Sequence, residues 1–424
     1  MLYVNEQFYD QAHFEAAARE FAALPALADC RQYRYAVCLP ATADWLALFF
    51  YLQSAGSTVL PLHPDMPLEA ARRQARRAGC HWLFYHDLHA EPLEQGRPAA
   101  PGGELLQMSS GTTGEPKCIA RSWASIEREL SSYVSHFREP ETMTPVIACP
   151  VTHSYGLIAG LLVALRRGQV PVIIDNLNPK YLLRRLRAIP QHLLYSSPAM
   201  LNTLCRLLPA GERLHGVMTS GTVLPGPWFQ TLRAATGHLF QQYGCSEAGC
   251  IAINPAVASA SDIGFVLPHL TLVNAPTGEA PGELVFEGED GVIHTRDLGY
   301  RRPDGMLVFV ARSDDTINVA GLNLYPQEVE DVVMAMAGIR DAVVLRKPDP
   351  FSGERACLLF SADAPVAVNA LRDWCRARLV PYQIPAEMVQ VNDIARQANG
   401  KISRREVAAR FAAGELTLIA GEVA

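Results

Sequence analysis

What limits the fold most is the alternation of short apolar runs with amphipathic stretches near the N-terminus. YAVCLP (35–40) reads as a buried strand, ADWLALFFYLQSAG (43–56) as a helix ending at Gly56, and STVLPL (57–62) as the next strand. PLEAARRQARRAG (67–79) then reads as a helix and HWLFYH (81–86) as a third strand. Strand–helix–strand order with turns this short is the signature of a parallel, doubly wound sheet. An alanine-rich helix is expected at 11–24, and the Pro- and Gly-rich residues 90–103 read as a surface loop.

The alternation resumes after residue 145. PVIACP and VPVIID read as strands with SYGLIAGLLVALRRG between them as a helix, and LLYSSP, LHGVMTSG and HLFQQYG add three strand-to-turn units. A second parallel sheet follows. From about residue 262 the texture changes: GELVFEG, GVIHTRD and GMLVFVA are short strands separated by Gly and Pro-Asp-Gly turns, predicting an antiparallel, barrel-like subdomain. A βα pattern returns from residue 314, enough for a small α+β unit. With 424 residues the chain is too long for one core. The expected fold is therefore α/β: a large domain over 1–311 with two doubly wound sheets and a small β-barrel-like subdomain, then a small α+β domain over 315–424.

Composition narrows the function classes. Net charge is −6, which lacks the broad positive field that nucleic acid or an anionic membrane surface requires. An anionic ligand must then be held by a local site. The ten cysteines (30, 38, 80, 118, 149, 205, 245, 250, 357 and 375) form no CxxC pair, so neither a zinc knuckle nor a redox motif is supported. The opening MLYVNEQFYD has no basic n-region followed by an apolar run, and the longest apolar stretches, Trp45–Leu52 and Leu157–Leu165, are too short to span a bilayer. A cytoplasmic protein without membrane insertion or nucleic-acid partner is expected.

The most informative segment is Gln107–Arg121, QMSSGTTGEPKCIAR. Glycines let successive backbone N–H groups turn toward a polyphosphate, hydroxyls add donors, and Lys117 adds positive charge. A P-loop of the NTPase kind is excluded by spacing: two residues, not four, separate Gly111 and Gly114, and Lys117 is followed by Cys118. The segment resembles the signature loop of the adenylate-forming superfamily of acyl- and aryl-CoA synthetases, nonribosomal-peptide adenylation domains and luciferases.

Further blocks resembling that superfamily follow in its order: CPVTHSYG (149–156), TSGTVL (219–224), QQYGCSEAG (241–249), HTRDLGY (294–300), VARSDDTINVAGLNLYPQEVE (310–330), LVPYQIP (379–385) and QANGKISR (397–404). Each is degenerate alone; the joint order, over residues 35 to 405, is specific. The resemblance implies an ATP/AMP site made by Ser109, Ser110, Gly111, Thr112, Thr113, Gly114, Lys117, Gly221, Thr222, Tyr243, Gly244, Ser246, Asp297 and Arg312. In it Tyr243 would stack on adenine, Gly221 would allow close approach, and Asp297 and Arg312 would hold the ribose. Lys401, Glu247 and Thr112 would be catalytic, Glu247 as the ligand of Mg²⁺ and Lys401 as the cation bridging carboxylate and α-phosphate. His153, Ser154, Tyr155, Gly244 and Cys245 would line the acyl pocket, Asp314 would be the hinge of a mobile small domain, and Gly321 would lie on the thiol tunnel.

Three departures stand out: Cys118 where the family has glycine, Ser246 where threonine is usual, and Arg296 where glycine commonly precedes the aspartate. The stretch before the phosphate loop is also shorter than usual. The implied reaction is formation of an acyl-AMP from ATP and a small-molecule carboxylic acid, then transfer to a thiol of CoA or of the phosphopantetheine arm of a separate acyl carrier protein. No acid stands among Thr152, His153, Ser154 and Tyr155 to pair with an α-ammonium, which disfavours amino acids. An aryl or a short to medium acyl acid remains, and the TRD form is one that aryl-CoA ligase branches share. The alternative is a catalytically silent relative that binds an adenylate or a carrier as sensor or scaffold; Glu247, Asp297 and Lys401 together argue against it.

Overall fold

The computed structural model describes all of residues 1–424 except 95, 110–116, 222–223, 275, 398–399 and 420–424. Among the described residues the first sheet runs in the order Ala90–Pro92, Trp82–Tyr85, Arg34–Cys38, Thr58–Pro61, Glu104–Ser109, Lys117–Ser122. Its inner strands pair in parallel, and the two edge strands are antiparallel. The helix Thr42–Ser54 buries Trp45, Leu46, Phe49 and Leu52 among other residues. That accounts for its apolar run: it is enclosed on all sides by a core drawing on both large sheets, with Val37 and Val59 from one and Ile147, Leu193 and Met218 from the other. No helix among the described residues is long and apolar enough to cross a membrane.

The second sheet has the parallel strands Val172–Ile173, Thr144–Ile147, His192–Ser196, Leu214–Thr219 and Thr236–Cys245 at its centre. Leu2–Val4 extends it in parallel beside Val172–Ile173, and Gln7–Tyr9 closes a hairpin on it. These three-residue strands carry too little periodicity to be read in the sequence. The antiparallel strands Gly249–Asn254, Asp262–Val266, Leu307–Arg312, Gly291–Arg301 and Gly282–Gly288 continue from the opposite edge, around a core of Ile251, Leu284, Phe286 and Leu307.

The expected helix at SYGLIAGLLVALRRG is wound as a π-helix over Tyr155–Leu162 and as an α-helix over Val163–Arg166. It lies close to the sheet, for a Cβ at Gly160 would stand 3.0 Å from Ile147, and one at Gly156 would stand 2.5 Å from the Pro150 carbonyl oxygen in the preceding loop. Such wide turns often mark functional sites.

The last part of the chain forms a sheet of Leu322–Leu324, Ile317–Val319, Gly353–Ala362 and Ile339–Asp349, with Glu387–Gln390 parallel to Gly353–Ala362. Alternation sets its two faces. Ala342 and Val344 pack with Val329, Val333, Leu371 and Cys375 of two helices, while Val343 and Leu345 face Ile394 and Val407. This small lobe touches the large one along the helix Gly226–Ala235: Trp228 packs against cores of both, and Gly226 N–H donates to Asp331 Oδ1 at 3.1 Å.

Candidate active-site cleft between the two lobes

A cavity of about 410 Å³ opens between the lobes, lined by Gly221, Tyr243, Gly244, Asp297, Arg312 and Lys401 among others. Six residues from five separate blocks of sequence thus line one cleft. The strand Thr236–Cys245 brings Tyr243 and Gly244 there, and its register shifts between them. A Cβ at Gly244 would stand 2.0 Å from the Gly249 carbonyl oxygen, so only glycine fits.

Asp297 is 5% exposed. Arg312 Nη1 donates to its Oδ1 at 2.8 Å, the Tyr243 hydroxyl donates to Oδ2 at 2.7 Å, and its own N–H donates to Thr295 Oγ1 at 3.1 Å. Burial pushes the carboxyl pKa up, against the opposing pull of Arg312, Tyr243 and Lys401. Burial alone would lower Arg312, but Asp297, Asp315 and Asp314 together carry it above its ordinary value. With Arg312 on Oδ1 and Tyr243 on Oδ2, about two of the carboxylate's roughly four acceptor sites stay open for hydroxyl donors.

The preceding Arg296 has φ 59°, in the left-handed region. That is the physical content of the family's glycine there: Arg296 adopts a conformation glycine takes without strain. Arg296 Nη1 and Arg312 Nη2 both approach Asp314 Oδ2, at 3.5 and 3.8 Å. Asp314 lies in the turn Ser313–Asp315, where the chain passes to the small lobe.

Lys401 comes from the small lobe. Its ammonium is desolvated, which lowers its pKa; Arg312 lowers it further, while Asp297 and Cys245 pull it up. A Cβ on Gly221, itself at φ 88°, would stand 3.9 Å from Lys401 Cε. His153 is not among the described residues lining the cavity but lies within electrostatic reach of Lys401: burial lowers its pKa first, then His63 and Lys401. Tyr155 donates its hydroxyl to the Met218 carbonyl at 2.6 Å, and Ser154 caps the π-helix. Cys245, pushed up to about 12 by burial first, lies within electrostatic reach of Glu247, Asp297 and Lys401.

Ser246 and Glu247 occupy the turn after that strand, Glu247 exposed. The turn is anchored from behind by an ion pair that sequence reading missed. Arg121 Nη1 donates to Glu129 Oε2 at 2.7 Å, both side chains being almost fully buried, and Glu129 Oε1 accepts the Cys250 N–H at 2.7 Å. Gly249 sits against it: a Cβ there would come within 2.3 Å of Glu129.

Ser109 ends the strand Glu104–Ser109 and pairs with Lys117 across the hairpin. Ser110, Gly111, Thr112, Thr113, Gly114 and Thr222 lie outside the described residues. Gly321, φ 89°, sits in an exposed turn whose N–H donates to Asn318 Oδ1 at 2.9 Å, and it is not among the described residues lining the cleft.

Other residues of the site stand at the ends of recognised blocks but carry no role from them: Gln241 opens QQYGCSEAG and Arg404 closes QANGKISR. Gln241 lines the cleft with its Oε1 buried and unpartnered among the described residues, a ready acceptor for a nucleobase amino group. Arg404 is held by Glu330 and, through Nε, by Asp315 Oδ2 at 3.3 Å, tying the end of the chain to the crossover turn. No group of three His, Cys, Asp or Glu side chains among the described residues could hold a metal.

Geometry of this kind defines a nucleotide-dependent enzyme, and the family follows. The chain matches the AMP-binding enzyme model over residues 104–295 and the AMP-binding enzyme C-terminal domain over 328–401. It belongs to the AMP-binding, adenylate-forming enzyme family, and it is an acid–thiol ligase. A 3,4-dihydroxybenzoate–[aryl-carrier protein] ligase of Bacillus anthracis is 37% identical over 408 residues, 96% of this chain and 98% of that one. A putative long chain fatty acid-CoA ligase of Staphylococcus epidermidis is 29% identical over 332 residues, 73% of this chain and 72% of its own length. In fold, the o-succinylbenzoate CoA synthetase of Bacillus subtilis bound to its acyl-adenylate superposes with a TM-score of 0.80 at 22% identity, covering 96% of this chain and 94% of that one.

Proposed function

We propose that this chain activates a hydroxylated aryl acid as its adenylate and passes the aryl group to the phosphopantetheine thiol of a separate carrier protein. One observation carries the reading: Lys401 shares a single cleft with Asp297, Arg312 and Tyr243, although 89 to 158 positions of chain separate it from them. The similarity to a dihydroxybenzoate–carrier ligase over almost the whole chain supports the aryl acid and the carrier.

In this reading the ribose hydroxyls donate to Asp297, whose orientation Arg312 and Tyr243 hold. Gln241 and Gly244 face the base. Lys401, desolvated in the cleft, places its ammonium where the acid's carboxylate meets the α-phosphate. The like charges it draws together are thereby neutralised as the carboxylate oxygen bonds to phosphorus and pyrophosphate leaves. Were Mg²⁺ bound, Glu247, exposed on its turn, would be the carboxylate to hold it, and the ion would shield phosphate charge. The residue range 1–311 then works as the nucleotide lobe and 315–424 as a mobile lobe turning at Asp314. Gly321 enters the site only after that turn. His153, Tyr155 and Cys245 form the acid's wall.

The test is ATP–pyrophosphate exchange with a panel of hydroxybenzoates, fatty acids and amino acids, followed by thioester formation with CoA and with carrier proteins. Exchange strongest with dihydroxybenzoates, and transfer to a carrier in preference to CoA, are expected. Silence with every acid would leave the scaffold alternative standing.

A further inference from the structure

Lys401 can act only where its backbone puts it, and contacts from both lobes set that backbone. The loop closes on itself: Gln397 N–H donates to the Lys401 carbonyl at 2.8 Å, and Gly400 N–H to the Gln397 carbonyl at 2.8 Å. It also presses on the large lobe, for a Cβ at Gly400 (φ 82°) would lie 2.8 Å from Ser197 Cβ. One side chain reaches every party. Arg396 Nη1 donates to the Gly400 carbonyl at 3.0 Å, and its Nε and Nη2 donate to Asp341 Oδ2 at 3.1 and 2.5 Å. Its guanidinium carbon stands 5.0 Å from the ring centroid of Trp228, on the large-lobe helix Gly226–Ala235. Both Arg396 and Trp228 line the cleft that holds Lys401.

We propose that Arg396 is a positioning residue for Lys401: it fixes the carbonyl next to the lysine and, through the face of Trp228, couples that placement to closure of the two lobes. The division of contacts carries the argument. Asp341 and Gly400 belong to the small lobe and travel with Arg396 in any rotation, whereas Trp228 belongs to the large lobe and stays behind. The lysine loop thus gains its last support only when the lobes are closed. Arginine suits this task because a planar fork donates in its own plane to a carboxylate and a carbonyl while its flat face lies on an aromatic ring. A lysine ammonium has one nitrogen to share among three partners. Asp341, whose pKa burial raises against the pull of Arg396, keeps the fork in register.

The inference rests on the catalytic reading of Lys401 above, and the experiment separates the two. Arg396→Gln, Arg396→Lys and Trp228→Leu are compared with wild type in ATP–pyrophosphate exchange, using the acid that wild type turns over best. They are compared again in thioester formation from chemically prepared acyl-adenylate. Arg396→Gln should lower exchange kcat about 10- to 100-fold, the scale of an ångström of misplacement. KM for ATP and acid should stay within about 3-fold, and thioester formation near wild type. Arg396→Lys should recover little. Trp228→Leu leaves the Arg396–Asp341 pair whole and carries the test if Arg396→Gln does not fold: it should lose about 3- to 10-fold in exchange kcat alone. Unchanged exchange in either folded variant, or equal losses in both half-reactions, overturns the positioning role. A wild type silent with all acids overturns the reading of the site, and this proposal with it.

Discussion

The two walls of the cleft are built on different terms. On the large-lobe side Asp297 is buried, and its hydrogen bonds come from Tyr243, Arg312 and Thr295, while Glu129 and Arg121 brace the turn bearing Glu247. Every one of these partners lies on strands or helices of one lobe. On the small-lobe side Lys401 rides a turn that leans on Ser197 and on Arg396, with Trp228, Gly226 and Asp331 among the contacts between the lobes. One wall is fixed by folding, the other by closure. The difference teaches where damage should appear: in the first as lost stability, in the second as one lost half-reaction.

The sharpest test of the first wall is Glu129→Ala. It leaves Arg121 buried without its counter-charge and the Cys250 N–H without an acceptor. A loss of about 3–5 kcal/mol is expected, read as a fall in thermal midpoint. In whatever fraction folds, the Mg²⁺ dependence of exchange should move to higher concentration, because the Glu247 turn has lost its brace. A stable variant with normal Mg²⁺ dependence would show that this ion pair supports nothing at the site.

Lys401→Ala tests the second wall and should look opposite. Exchange should fall about 10²- to 10³-fold, the cost of removing one preorganised charge-stabilising group. The thermal midpoint should hardly move, and thioester formation from supplied acyl-adenylate should persist. Loss of both half-reactions together would dissolve the distinction between the walls. The same lysine predicts the alkaline side of the pH profile. Its pKa is lowered, by burial first, so the charged form is lost earlier than for an ordinary lysine as pH rises, and adenylation should decline there before thioester formation does.

Much of the first wall was legible in sequence. Gly244, Asp297 and Tyr243 sit in blocks whose residue types are demanded locally, by a bulge, a buried carboxylate and the strand that aims the ring. The second wall was legible only at Lys401 itself. Arg396 stands one residue before the recognised QANGKISR block, and Arg404 closes it, yet their partners Asp341, Trp228 and Glu330 are far away in sequence. Spacing cannot announce a contact that depends on how two lobes meet. Arg121 likewise ends the phosphate-loop segment, but its value comes from Glu129, eight residues on and one helix turn deep in the core.

A smaller effect probes closure by pH. Asp331 accepts the Gly226 N–H across the lobes, and its pKa is pushed up to about 6, by burial first, with the hydrogen bonds from Gly226 and Gln327 opposing. A carboxyl whose native pKa is raised contributes stability that is full below its unfolded value of 3.8 and is lost as pH rises through about 6. Asp331→Asn keeps an amide oxygen for Gly226 and carries no charge. It should therefore match wild type at pH 4 and exceed it at pH 7.5 by on the order of 1 kcal/mol, read in thermal midpoints across that range. A wild type that gains on the Asn variant above pH 6 would reverse the sign.

The smallest expected effect lies at Arg296, where the two walls meet above Asp314. Its left-handed backbone costs about 1 kcal/mol relative to glycine, and its guanidinium stands 3.5 Å from Asp314 in a partly exposed pair of little energetic weight. Arg296→Gly relieves the backbone but frees the unfolded chain, so its thermal midpoint should stay close to wild type. Arg296→Ala loses the ion pair and keeps the strain. It should thus fall about 1 kcal/mol below the glycine variant, although alanine usually exceeds glycine in a strand. An alanine variant at or above glycine would mean that the backbone here is not strained, and that Arg296 departs from the family's glycine for no conformational cost.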